Sequence, residues 1–198
     1  MIQKLSKQFA QNIISLGRLQ EINEPILCYG CELILTSIIG LLLLIALSFL
    51  IGHPMAWLFF VMGFAPHRTT AGGYHADTRI KCYIVTSGMF LLGTLAAYSF
   101  TWNKYTYFVI SLFSAALVLH LAPLAAANKP LSDKQHRKNR IRSLIVISVN
   151  IFIAVIFAVL DLVSEEANIY FAGIFFASTS LIMEKIKIFL KGGRPSEG

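Results

Sequence analysis

Charge is what this chain has least of. Of 198 residues only 14% are Asp, Glu, Lys or Arg, while 56% are hydrophobic and the mean hydropathy is +0.68. That balance excludes an ordinary water-soluble domain and points to a polytopic membrane protein. Acids are the scarcer kind, 10 against 17 basic residues. In a soluble protein the resulting charge of +7 would suggest nucleic acid, but here it reports topology and contact with anionic lipid, so no nucleic-acid partner is expected. Cysteine is also scarce. Cys28, Cys31 and Cys82 give no disulfide framework. His53, His120 and His136 are scattered without metal-ligand spacing such as HExxH, and neither a Walker loop nor a dinucleotide fingerprint is present. No metal and no cofactor are therefore expected. Residues 1–20 lack the compact apolar core and cleavage site of a secretory signal, so insertion is expected to use the first span itself.

What remains is apolar runs separated by short polar stretches. Ile2, Leu5, Phe9, Ile13 and Leu16 recur every three or four residues between Lys4, Lys7, Gln8, Gln11 and Asn12, which predicts an amphipathic helix. Its apolar face suits either the membrane surface or the bundle. Apolar runs follow over about 26–51, 82–102, 105–125, 143–162 and 167–190, each long enough to cross a bilayer. A further run, Met55 to Ala65, has only eleven residues; it either borrows length from its flanks up to about Ala71 or is re-entrant.

The expected fold is thus all-α, a membrane helical bundle of about six transmembrane segments preceded by the amphipathic helix. One domain should cover 1–198, with the amphipathic helix in 1–24, the bundle in 26–190 and a loose tail in 191–198. Residues 129–142 carry six basic side chains against one acid, Asp133, and read as a cytoplasmic loop. Six crossings with both termini inside leave only Lys104, among all Lys and Arg, on the outer side.

Between the second and third runs lies a polar island, Arg68 to Cys82. His75 can move protons near neutral pH and Cys82 can become a thiolate, which are the parts of a thiol peptidase. Seven residues of straight helix would separate the two by about 10 Å, so the path between them must bend. Gly72 and Gly73 give freedom for a break, and Asp77 or Thr78 is a suitable N-cap for the next helix. His75 would then fold back over Cys82, where the helix dipole with Arg79 and Lys81 favours the thiolate. Taken alone, such a pair at the end of a membrane helix is more often structural than catalytic.

The pattern Arg68-(x4)-Gly73-Tyr74-His75-Ala76-(x5)-Cys82, in a small membrane protein with a basic loop further on, resembles the AgrB family, the accessory gene regulator B peptidases. Tyr29-Gly30-Cys31-Glu32, Ala122-Pro123 and Asn128-Lys129-Pro130-Leu131 agree with it in order and spacing. The resemblance implies a membrane cysteine endopeptidase with His75 and Cys82 as its catalytic pair. Its substrate would be an AgrD-like quorum-sensing propeptide, cut through an acyl-thioester on Cys82 and cyclised to a thiolactone. It further implies a homodimer in the bacterial cell membrane with the site on the cytoplasmic side.

Other residues are candidates for support. Glu32 reads as the only carboxylate inside an apolar span; it would orient His75, pair with Arg68 or snorkel to the interface. Arg68 would clamp a substrate carboxylate or pair with Glu32 or Asp77. Gly73 would let backbone N–H groups approach a developing oxyanion. The basic loop that opens at Lys129 would anchor to lipid and hold an acidic propeptide segment. Cys28 and Cys31 form a CxxC at a helix start, but they sit at the inner face without a second pair, and small buried helix residues are the expected reading. The competing class is a non-catalytic membrane transport or redox protein, whose polar marks would recur along several spans. The interiors of the third, fifth and sixth carry little beyond Ser and Thr.

Overall fold

The computed structural model describes residues 2–15, 24–74, 76, 78–124 and 132–190. Among these the chain is all helix with no strand: α1 (Ile2–Ser15), α2 (Glu24–Leu50), α3 (Ala56–Ala71), α4 (Arg79–Ser99), α5 (Lys104–Leu121), α6 (Asp133–Val159) and α7 (Glu165–Leu190). Five of them, α2 and α4 to α7, are long and apolar enough to cross a membrane. The sixteen residues of α3 rise about 24 Å, less than the roughly 30 Å of a hydrocarbon core. This helix does borrow from its C-terminal flank, running through Pro66 to Ala71.

Two compact units result, residues 1–52 and 53–198. In the first, α1 packs on α2. The face it turns inward carries Ser6 and Ala10, both buried, whereas Phe9 on the apolar stripe stays exposed. Phe9 is thus placed to meet a membrane surface.

The second unit is built around α7. Over half of its apolar window, 56%, is buried, against 28% in α4 and α5 and 22% in α6. Small residues make this possible: Ala172, Gly173, Ala177, Ser178 and Ser180 let neighbouring backbones approach. The α3 helix packs most extensively against α7, and α4 and α5 flank it. Helix starts are set locally. Asn103 caps α5 and Ser132 caps α6, each in a reciprocal capping box, with Thr106 and Gln135 as partners. The basic stretch read as a loop is therefore helix from Asp133 onward, forming the first turns of α6. From there Arg140 reaches across to carbonyls at the end of α5, bonding Val118 O at 3.1 Å, Leu119 O at 2.8 Å and also Ala122 O.

The chain alternates between two ends of this unit. The end of α5 meets the end of α3, where Leu124 N donates to Ala71 O at 3.0 Å. At the other end Lys104 pairs with Asp161 at 3.2 Å, and Tyr107 donates to Asn168 at 2.7 Å beneath a stack on Phe171.

Between the two ends lies a buried polar trio. Tyr170 donates to Asn150 Oδ1, and Asn150 Nδ2 contacts His67 Nε2 at 2.5 Å. The amide NH₂ can only donate, so Nε2 of His67 is the acceptor in this arrangement. His67 is thus committed to joining α3, α6 and α7. Asn150→Leu would leave a ring nitrogen and a phenol without their partner, which should cost about 1–3 kcal/mol. Thermal unfolding of the purified protein in detergent checks this, and an unchanged melting temperature would show the trio to be dispensable.

Candidate active site

The polar island breaks where its glycines stand. Gly72 and Gly73 have φ of 87° and 138°, a region that favours glycine. A Cβ on Gly72 would overlap the carbonyl oxygen of Leu124, so the segment after α5 closes directly over the end of α3. Thr78 is extended, and its hydroxyl accepts from Lys81 N at 3.3 Å, which starts α4. Cys82 follows in the first turn of that helix, its N–H bonded to Thr78 O at 3.1 Å. It is a free, half-buried thiol.

Cys82 opens into a small cleft lined also by Phe64, Arg68, Tyr74, Val85, Thr86, Met89 and Ser180. Tyr74 and Cys82 would stand about 12 Å apart along a straight helix, yet they line one cleft. The chain from Tyr74 to Cys82 is therefore not one straight helix. His75 and Asp77 lie outside the described residues, and so does Lys129.

Arg68 reaches this cleft from the last turn of α3. Its Nη2 donates to Tyr74 O, while Nη1 is buried and has no hydrogen-bond partner among the described residues. A Cβ on Gly73 would strike both Arg68 Nη1 and Ser180 Oγ, so the absence of a side chain there makes room for these two groups. Tyr74 is held from a second side by Lys187, whose Nζ lies 5.4 Å from the ring centre.

One expectation needs correction. Glu32 is not the only carboxylate within a span, because Glu184 of α7 is buried at 1% exposure. Arg68, for its part, lies within electrostatic range of Glu184 and Cys82. Glu184 looks solvated in the sequence because Lys185 and Lys187 surround it. Its phase tells otherwise: Ala177, Ser180, Leu181 and Glu184 fall on one buried stripe of α7. Glu32 itself is half-buried on α2, in the other unit, with Thr36 Oγ1 bonded to its backbone carbonyl at 2.9 Å. Cys28 and Cys31 are free thiols on the same helix. Among the described residues no three His, Cys, Asp or Glu side chains converge as a metal site would require.

Sequence comparison relates the chain to known proteins. The family model for accessory gene regulator B matches residues 1–188. The AgrB-like protein 1 of Clostridium perfringens (strain 13 / Type A) is 32% identical over 99 residues, covering 48% of this chain and about half, 51%, of that relative. Accessory gene regulator protein B of Staphylococcus aureus (strain MRSA252) is 26% identical over 150 residues, covering 76% of this chain and 80% of its own length. Its counterpart in strain MW2 is 25% identical over the same shares. No solved structure matches.

Proposed function

The chain belongs to the accessory gene regulator B family, and from that membership together with the cleft at Cys82 we propose that it is a multi-pass membrane cysteine endopeptidase that matures a quorum-sensing propeptide. The observation that carries the reading is the first-turn position of Cys82 in a cleft shared with Tyr74 and Arg68. Tyr74 immediately precedes His75 in the chain.

In this reading His75 takes the proton of Cys82, and the sulfur attacks a carbonyl carbon of an AgrD-like propeptide. The C–N bond breaks, and the C-terminal part leaves with a proton from the imidazolium. The acyl group stays on Cys82 as a thioester. A thiol within the propeptide then attacks that thioester, and the product is a thiolactone ring still attached to its N-terminal leader. One thioester replaces another, so the closing step requires no ATP. Water competes, and a cleft edged by Phe64, Val85 and Met89 limits its access.

The site would face the cytoplasm. The ends of α3, α5 and α7 lie with the start of α6, whose first turns carry Lys134, Arg137, Lys138, Arg140 and Arg142. Those cations suit anionic lipid and an acidic propeptide segment, and a homodimer is the expected assembly.

Co-expression with short propeptides encoded nearby tests the function. The expected products are a released C-terminal fragment and a leader-linked ring lighter than the linear acid by one water, read by mass spectrometry. Intact propeptides throughout would overturn the proposal.

A further inference from the structure

We infer that Arg68 is the oxyanion-binding group of the Cys82 cleft, its Nη1 donating to the carbonyl oxygen of the bond under attack. The inference rests on the peptidase reading above. Arg68 is the one cationic side chain among the residues lining the cleft. Its fork is half committed: Nη2 is spent on Tyr74 O, and Nη1 has no hydrogen-bond partner among the described residues. The neighbouring hydroxyl of Ser180 donates to Ala177 O at 2.6 Å, which leaves its oxygen only to accept. Arg68 therefore offers this cleft an N–H that no group among the described residues has taken.

Glu184 stands one turn beyond Ser180 on the buried face of α7 and lies within electrostatic range of Arg68. A carboxylate at that range offsets part of the cost of keeping a half-buried guanidinium charged.

The step that uses it balances simply. A sulfur lone pair forms the S–C bond, the carbonyl π pair moves onto oxygen, and the thiol proton passes to the base. Negative charge on that oxygen exists only in the transition state and the tetrahedral intermediate. A donor fixed beforehand stabilises these more than the bound substrate, which is the condition for raising the rate.

Two small probes test this on the full-length chain in detergent, in a Cys28→Ala, Cys31→Ala background. 4-Nitrophenyl acetate acylates a thiol through an oxyanion, releasing 4-nitrophenolate; iodoacetamide alkylates it by displacement of iodide, forming no oxyanion. Mass spectrometry reads both at Cys82. Arg68→Gln should slow acylation about 10²- to 10³-fold while alkylation stays within about threefold of the parent. Arg68→Lys should recover part of the loss. The double variant Arg68→Gln, Glu184→Gln leaves no isolated buried charge, so it answers the question even where Arg68→Gln does not fold.

Equal losses with both probes would mean that Arg68 acts on the sulfur or on the fold, and would overturn the inference. Full-rate acylation in the double variant would overturn it too; since the ester carries no carboxylate, that is the result expected of a substrate-carboxylate clamp. A parent protein that is alkylated but never acylated at Cys82 would instead sink the peptidase reading itself.

Discussion

Cys82→Ala should lower propeptide processing by about 10⁴-fold or more, and His75→Ala by a comparable factor, because nucleophile and base act as one unit whose members cannot substitute for each other. Neither change should disturb insertion. Cys82 sits half-buried in the first turn of α4, where alanine is at least as good a helix former. The double change Cys28→Ala with Cys31→Ala should process at close to the wild-type rate, since both are free thiols on α2, three residues apart. Pulse-labelled propeptide and the variant enzymes, compared at matched membrane levels, give the measurement. Processing retained by Cys82→Ala would remove the thioester from the scheme, while loss of processing in the α2 double variant would revive a redox role for that pair.

The parts of the site governed by local rules are legible in the sequence. Gly72 and Gly73 mark a break because a left-handed or fully open φ is costly for other residues, and Thr78 marks a helix start because its hydroxyl can take an orphan N–H. The helices of the bundle are equally plain, since hydrocarbon demands long apolar runs. The Ser132 and Gln135 capping box was available by the same local logic. The basic charges around it invite a loop reading, although a helix extending past the interface carries cations just as well.

Partnerships across the chain are what the sequence hides. Asn150 reads as an isolated amide in an apolar span until His67, 83 residues away, is set against it. Glu184 reads as a solvated end of α7 until the buried stripe is traced through it. In both cases the cost of a buried polar group shows that a partner must exist without saying which residue supplies it.

The tightest of these long-range contacts yields the largest effect expected on the fold. A Cβ on Gly63 would overlap the carbonyl oxygen of Tyr170 and lie 3.2 Å from Ile174 N, while one on Gly173 would meet Phe60 O and come within 3.1 Å of Phe64 N. Each obstacle is backbone, which cannot rotate aside, so α3 and α7 would have to part along their most extensive contact. Gly63→Ala and Gly173→Ala should each destabilise by about 1–3 kcal/mol, and Gly63→Leu by more. Gly93 provides the graded control: its Cβ would meet ring edges of Phe60 and Phe176 at 3.3 Å, which can yield slightly, so Gly93→Ala should cost less. Gly88 has nothing within 4 Å, and Gly88→Ala should be neutral or stabilising, as for an exposed helix position. The same separation would reach the site, because α3 carries Arg68 and α7 carries Ser180 and Glu184 beyond the contact. Thermal melts of the alanine variants should therefore rank Gly88 above Gly93 and both above Gly63 and Gly173. Processing at a temperature where all remain folded should fall in the last two alone. A Gly63→Ala protein that melts with Gly88→Ala would mean that these two helices do not touch through their backbones, and the cleft would then lack the frame that sets Arg68 against α7.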